Sequence, residues 1–155
     1  MTEVPGGSQT SALGSALRDA ASIAERIGAD EAAADAERAR LGNGELPNIS
    51  SELDATVELR PQETAHAVRH AAMLENGSKL PIGGTLYLTS QRLIHLGAQR
   101  HEIELDHIAE SAVALERLLL LDLADGSDLA VEVDQPRLLR VQLAAARSNA
   151  RERSR

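Results

Sequence analysis

The sequence has no cysteine, no tryptophan, no phenylalanine and one tyrosine, Tyr87, among its 155 residues. Without cysteine, the chain can form neither disulfide bonds nor thiolate metal sites. With a single aromatic ring, the interior must be filled by Leu, Val, Ile and Ala, and the base-stacking surfaces of single-strand binders are excluded. The formal net charge of -8 also repels phosphate backbones, so we expect no nucleic-acid partner.

Long apolar runs are also absent. The longest apolar stretch, LERLLLLDLA, is interrupted by Asp122 and is too short to span a membrane. The N-terminal segment MTEVPGGSQTSALG lacks the basic and apolar regions of a secretion signal. We therefore expect a cytoplasmic protein, with peripheral membrane contact as the remaining option. The 43% of apolar residues is enough to build the core of one compact domain with an extension.

Residues 1–50 are predicted to form a flexible or helical N-terminal extension. Residues 1 to about 10 contain Gly, Ser, Thr and Pro and are expected to be mobile, whereas the Ala-rich text from Ser11 to Arg40 predicts a helix that Gly28 could divide. Either this helix is a partly ordered extension, or it binds a partner or a second copy. LGNGELPNISS supplies turn residues at the boundary. The apolar stripe of the helix consists of Leu13, Leu17, Ala20, Ala24 and Ile27.

Beyond Asp54 the pattern changes to short alternating segments that predict seven strands. The first of these could equally be a short helix because it is rich in alanine. Asp125 and Gly126 predict a tight hairpin between the last two, and the final strand alternates cleanly, as expected of a sheet with one wet face. The segments are AHAVRHAAML, TLYLT, RLIHLG, HEIEL, SAVALE, LLLLDLA and DLAVEVD.

A terminal helix closes the chain. Pro136 suits the first turn of a helix, Asp134 is a candidate cap, and Leu139 and Leu143 follow at helical spacing. The Arg-rich end, residues 150–155, is expected to fray into solvent.

Seven strands followed by one helix, over residues 54–149, is an order of elements that resembles pleckstrin-homology-like (PH-like) domains. The stretch GGTLYLTSQRLIHLG resembles the hairpin of GRAM-type and bacterial PH-like domains, which has the form G-x-L-x-L-T-x-x-R-L-I. Glu63 lies where the family has a glutamate before its first strand. The resemblance implies a mainly β (α+β) fold, a seven-stranded antiparallel barrel or sandwich capped by a C-terminal helix. The matching residues are Gly84, Leu86, Leu88, Thr89, Arg92, Leu93 and Ile94.

Lipid-binding members of this family place Lys and Arg around the loop that joins the first two strands. Here that loop offers Lys79 alone, with Arg69 in the preceding strand. Residues 51–136 carry six basic and fifteen acidic side chains, whereas residues 137–155 carry six Arg and one acid, Glu152. Converging cations are needed to hold a phosphorylated headgroup. The candidate lipid-binding residues are therefore Arg69, Lys79, Arg147, Arg151, Arg153 and Arg155.

Metal and catalytic signals are weak. His66 and His70 could share a face, but the sequence offers no clear third ligand, and HEIELDH does not match the two-histidine zinc-protease pattern. No nucleophile elbow, phosphate-binding loop or dinucleotide fingerprint occurs. We expect no catalytic residue, no metal and no cofactor.

The sequence thus predicts a non-enzymatic binding or scaffolding module. The favoured partner is a protein, held at a sheet edge or at the terminal helix and its neighbours, because small antiparallel barrels expose strand edges. The alternative is peripheral binding to an anionic membrane lipid, a phosphoinositide or another acidic headgroup, through the candidate residues above.

Overall fold

The computed structural model of the protein describes residues 5–75 and 80–154. A long helix, α1 (Pro5–Leu41), precedes seven strands, and a terminal helix, α2 (Pro136–Arg153), follows them. Short 3₁₀ turns lie at Ser50–Glu52, Ala55–Val57 and Leu105–His107. The strands are β1 (Ala65–Glu75), β2 (Ile82–Thr89), β3 (Arg92–Leu96), β4 (Arg100–Glu104), β5 (Ile108–Ala114), β6 (Leu118–Leu123) and β7 (Asp128–Val133). The predicted fold class, a mainly antiparallel β fold with a helical extension and a C-terminal helix, is confirmed.

All seven strands form one antiparallel sheet in the order β4-β3-β2-β1-β7-β6-β5. The two halves of the sheet meet on β1, which pairs with β2 on one side and β7 on the other. The alanine-rich segment AHAVRHAAML, for which the sequence allowed either a strand or a short helix, is therefore a strand. The edge strands β4 and β5 are joined through the 3₁₀ turn at Leu105–His107. The β6–β7 hairpin turns at Gly126, whose φ of 89° suits glycine.

The core lies on the face of the sheet that α2 covers. Leu86 and Leu88 point into it, with 2% and 1% of their surface exposed, while Tyr87 points to the other face, as the alternation predicts. Across the β2–β3 hairpin, Leu88 pairs with Leu93. The interior is aliphatic, as the shortage of aromatic residues requires. Its other buried members include Leu119, Leu121, Val131, Val133, Leu139, Leu143 and Ala146.

A buried ion pair organises the turn between β2 and β3. Arg92 donates from Nε to Glu63 Oε2 at 2.8 Å and from Nη2 to Glu63 Oε1 at 3.0 Å. Thr89 Oγ1 donates to Glu63 Oε2 at 2.7 Å and accepts the main-chain N–H of Arg92 at 2.9 Å. The main-chain N–H of Arg60 also donates to Glu63, at 2.8 Å. Three residues of the motif that resembles PH-like domains, Glu63, Thr89 and Arg92, therefore form one hydrogen-bonded unit.

The surroundings of Glu63 keep it ionised. Burial by itself raises the pKa of Glu63, but the hydrogen bonds from Arg92, Thr89 and the Arg60 N–H outweigh that effect and lower the pKa below its ordinary value. The carboxylate and the guanidinium are almost fully enclosed, with side-chain exposures of 0% and 5%. The pair is therefore charged at neutral pH and shielded from solvent.

Helix α1 is docked onto α2 through a carboxylate. Asp30, which is 4% exposed, accepts the main-chain N–H groups of Arg137 at 2.9 Å and Leu138 at 3.1 Å. These are free donors of the first turn of α2, so Asp30 caps that helix from a different element. Further along the interface, Gln142 Nε2 donates to Glu37 at 2.8 Å.

The predicted cap of α2 was wrong. The residue that precedes the helix is Gln135, in the left-handed conformation with φ 51° and ψ 56°, and it makes no side-chain cap. Asp134 instead pairs with Arg117 at 3.2 Å. The left-handed conformation of Gln135 turns the chain between Asp134 and the helix. Asp30 of α1 accepts the N–H groups that a cap at the start of α2 would bind.

Both helices differ from the prediction at their ends. The first is continuous from Pro5 through Gly28 to Leu41, because one glycine costs only about 1 kcal/mol relative to alanine in an Ala-rich helix. Part of the segment expected to be mobile is thus helical, and residues 1–4 lie outside the described chain. Helix α2 continues to Arg153 rather than fraying after residue 149, since Arg147 and Arg153 bind main-chain carbonyls of the sheet half of the molecule.

We expect Asp30→Ala to lower the free energy of unfolding by about 1–2 kcal/mol, the usual effect of removing a helix cap. Asp134→Ala, at the position that the sequence alone favours, should change it by less than about 0.5 kcal/mol because the Asp134 ion pair is exposed. Urea unfolding of both variants measures the difference. Equal effects would mean that α1 does not cap α2.

Arg92→Ala should destabilise the protein by about 3–5 kcal/mol, because it leaves the Glu63 carboxylate buried without its cation. Arg60→Ala serves as the matched control, since the Arg60 side chain makes an exposed pair with Glu104, and should cost at most about 1 kcal/mol. Denaturant unfolding at neutral pH compares the two. A small effect at Arg92 would contradict the enclosed ion pair.

The depressed pKa of Glu63 predicts a loss of stability in acid. Because the folded-state pKa is below the unfolded one, the stabilisation is present above the unfolded value of about 4.3 and is lost as pH falls through the folded value. The free-energy gap between wild type and Glu63→Gln should therefore narrow below about pH 4. A gap independent of pH would show that Glu63 does not titrate differently on folding.

Candidate functional site

The six candidate cations do not form one group. Lys79 and Arg155 fall outside the described residues. Arg69 is half-buried on β1, where its Nη1 donates to the Val68 carbonyl at 3.0 Å. Burial lowers the pKa of Arg69, and the neighbouring acids Asp134, Asp30 and Glu37 oppose that shift. Arg69 thus faces carboxylates near the α1–α2 junction.

Arg147, Arg151 and Arg153 lie together on the last turns of α2. Arg147 Nη2 donates to the carbonyls of Ile108 and Ala109, the latter at 3.1 Å. Arg153 Nη2 donates to the Ser90 carbonyl at 2.6 Å. The structure therefore brings three of the six predicted cations to one end of the helix, and two of these are held against main-chain oxygens.

A groove of about 830 Å³ runs beside these residues, between the C-terminal end of α1, β5 and α2. Four arginines line it, Arg38 from α1 and Arg140, Arg147 and Arg151 from α2. Among the described residues that line it, Glu110 is the single carboxylate. We call this surface the arginine groove. A neighbouring depression of about 570 Å³ shares Arg147 and Arg151 and is also lined by Arg153.

Local contacts hold two of these side chains in place. Arg140 Nε donates to the Ser111 carbonyl at 3.2 Å, and Arg147 binds the start of the same strand. Because both partners belong to β5, the two arginines cover part of that edge strand. A strand edge covered in this way is protected from pairing with another chain.

The charge on Arg147 is poorly compensated. Burial, and then the nearby positive charge of Arg151, lower the pKa of Arg147. Its Nε is buried and has no hydrogen-bond partner among the described residues. The side chain of Arg151 likewise makes no hydrogen bond or ion pair within the described chain, whereas Arg38 pairs with Asp35 at 2.7 Å. Cations that repel one another and retain free donors favour an anion between them.

Sequence reasoning named Arg147 and Arg151 but missed Arg38 and Arg140. The spacing of Arg140, Arg147 and Arg151, seven and then four residues apart, would place them on one helical face and was a usable signal. No local sequence pattern indicated that Arg38 belongs to the groove, because its position there depends on the docking of α1 onto α2.

The four arginines and one carboxylate that line the groove suit it to binding an anion. No cluster of three or more His, Asp or Glu side chains in the described ranges could hold a metal ion. Of the two histidines considered as ligands, His66 donates from Nδ1 to the Pro47 carbonyl at 2.8 Å, and His70 is exposed. Burial lowers the pKa of His66, the Pro47 contact opposes this, and Arg153 adds to it. No helix within residues 5–75 and 80–154 has the length and apolarity to cross a membrane.

Comparisons with known proteins add little to this geometry. No family model matches the chain, and no curated protein matches it. Among solved structures, the C-terminal domain of an unknown protein from Leishmania infantum is similar over 54% of this chain and 87% of that chain, with 18% identity and a TM-score of 0.46. This similarity carries no functional information.

Proposed function

We propose that this chain is a non-enzymatic, PH-like binding module of the GRAM or bacterial type, and that its arginine groove binds an acidic segment of a partner protein. The observation that carries the proposal is the convergence of Arg38, Arg140, Arg147 and Arg151 in a protein whose formal net charge is -8. An isolated cationic surface on an acidic body selects an anionic partner and orients it during encounter.

The PH-like assignment is supported by the order of seven antiparallel strands and a closing helix. It is also supported by the hydrogen-bonded unit of Glu63, Thr89 and Arg92, which gives a structural reason for three of the residues that resemble the family motif. These residues shape the β2–β3 hairpin and are buried, so a binding partner must contact other, exposed residues.

The dimensions of the groove suit an extended peptide. Arg140 and Arg151 are eleven residues apart on α2, which corresponds to about 16 Å along a helix, or about five residues of extended chain. Guanidinium groups bind carboxylates in a two-point geometry that Lys does not match. The groove therefore fits a short stretch of Asp and Glu.

A protein partner is favoured over a lipid surface for three reasons. The arginines line an open groove between α1, α2 and β5, along which an extended segment can lie. In addition, Arg69, which the lipid alternative requires, lies among acidic neighbours instead of beside the groove. A membrane would also meet the fifteen acidic side chains of residues 51–136.

We expect a fluorescent hexaglutamate peptide to bind the protein and the uncharged hexaglutamine peptide of the same length not to bind. Arg38→Gln/Arg151→Gln should weaken hexaglutamate binding about tenfold, as expected for two exposed charge contacts of roughly 0.5–1 kcal/mol each, and added salt should weaken it further. Fluorescence anisotropy measures both effects. These two side chains are chosen because neither contacts the main chain of β5, so the fold should persist.

The matched control is Arg18→Gln/Arg117→Gln, which removes the same charge from positions outside the groove and should leave binding unchanged. Equal losses of hexaglutamate binding in both double variants would show that net charge alone determines the affinity, and would contradict binding in the arginine groove. Sedimentation with phosphatidylserine or phosphoinositide vesicles provides the second arm. If the protein cosediments strongly with vesicles, loses this in Arg38→Gln/Arg151→Gln, and does not bind hexaglutamate, the ligand of the groove is a lipid and not a protein.

A further inference from the structure

We infer that the N-terminal half of α1 is a homodimerisation element, which pairs antiparallel with the same segment of a second copy about a two-fold axis at Ala20. This inference concerns a surface separate from the arginine groove and goes beyond the proposed function. It commits to one occupant, another copy of this chain.

The first observation is an exposed apolar stripe. Leu13, Leu17 and Ile23 are 61%, 63% and 39% exposed, although large aliphatic side chains on one helix face normally meet a partner. The apolar positions recur every three or four residues, the spacing of a helix that packs lengthwise on another helix. The stripe consists of Leu13, Ala16, Leu17, Ala20, Ile23, Ala24 and Ile27.

The second observation is the length of the helix. With 37 residues α1 spans about 55 Å, whereas α2, with 18, spans about 27 Å. The contacts that dock α1 on α2 begin at Asp30 and continue through Ala34 and Glu37. Residues 12–26 are mostly exposed, and within the described chain the stripe is least covered at Leu13 and Leu17. Most of the stability of a helix in a protein comes from packing its apolar face against another element.

The third observation is that the stripe is complementary to itself. In two antiparallel helices related by a two-fold axis, facing residues have numbers with a constant sum. With the axis at Ala20, this alanine meets its own copy at the crossing point, where a small side chain allows close approach, and every other position of the stripe meets an apolar residue. The facing pairs are Ala20 with Ala20, Leu17 with Ile23, Ala16 with Ala24, and Leu13 with Ile27.

A fourth observation concerns the space beside Ile27. An apolar groove of about 500 Å³ lies between α1 and the turn after β5, lined by Ile23, Ile27, Leu115 and Leu118 among others. Leu115 is 75% exposed and has a φ of 54°, a left-handed conformation that is unfavourable for a bulky residue. In the proposed pairing Leu13 of the second copy faces Ile27 and reaches this groove, so the dimer contact continues the α1 packing surface.

Charge also favours this segment. Each chain carries -8, so two copies repel each other over most of their surface. Residues 12–27 contain Arg18 and Arg26 against Asp19 and Glu25, which makes the segment neutral. Two acidic bodies can therefore meet through it without added repulsion.

The test is the mass of the full chain in solution by analytical ultracentrifugation. We expect wild type to sediment as a dimer of 16.5 kDa subunits, and Leu17→Glu to sediment as a monomer with unchanged circular dichroism. The matched control, Ala29→Glu, adds the same charge at an exposed position off the stripe and should remain dimeric. A monomeric wild type at the highest soluble concentration, or a dimeric Leu17→Glu, would overturn the inference.

Cysteine cross-linking tests the register, because the chain has no cysteine of its own. Ala20→Cys should form a disulfide-linked dimer readily, since both copies of residue 20 lie at the axis. Leu13→Cys and Ala29→Cys should not, because their copies lie far apart in the antiparallel pair. Efficient cross-linking through Leu13→Cys would indicate a parallel pair and contradict the proposed geometry.

The outcome is independent of the groove. Apolar association persists in high salt, whereas binding of hexaglutamate by arginines weakens. A salt-sensitive dimer that dissociates in Arg38→Gln/Arg151→Gln would show that the groove, and not α1, joins the copies.

Discussion

The buried pair of Glu63 and Arg92 is the contact on which the first half of the sheet depends. Desolvating two charges is expensive, and such a pair adds stability only when its remaining hydrogen-bonding capacity is satisfied. Here Thr89, the Arg60 N–H and the Glu58 carbonyl supply those partners. The pair therefore ties the chain before β1 to the β2–β3 turn in one geometry.

That attachment explains how β3 is covered on both faces. Leu93 and Ile94 point to opposite sides of the strand, yet they are 2% and 0% exposed. Leu93 faces the core, and Arg92 shares the other face with Ile94, so the segment that carries Glu63 lies on that outer face. Arg100 supports it by donating to the Val57 carbonyl at 2.8 Å. A segment without regular strands thus acts as part of the fold.

The arginine groove depends on a second attachment, the Asp30 cap. Asp30 fixes the position of α1 at the start of α2, and Arg38 follows eight residues later, about 12 Å along the helix. If α1 were not held there, the groove would lose one wall and one of its four cations. The extension is therefore part of the candidate site, although its first half projects away from it.

The strands could be predicted because their signals are local: alternation in β2 and β7, and the Asp125 and Gly126 turn. The helix docking could not, because Asp30 and Arg137 are 107 residues apart and no short-range pattern links them. The prediction that Asp134 caps α2 was wrong for the same reason. Asp134 is the nearest acidic residue before the helix in the sequence, but its carboxylate pairs with Arg117. The cations of α2 were recognisable as a charge excess, while their assembly with Arg38 required the tertiary structure.

The two proposed surfaces also have a combined consequence. Exposed arginines bind a short acidic segment weakly, since water and salt compete for the charges. An antiparallel pair through α1 would carry one groove on each copy, so a partner with two acidic segments would bind the second groove at a high effective concentration. Affinity would then depend on the spacing between the acidic segments as well as on their charge. Weak individual grooves and a dimerising helix together favour repetitive acidic partners over single acidic sites.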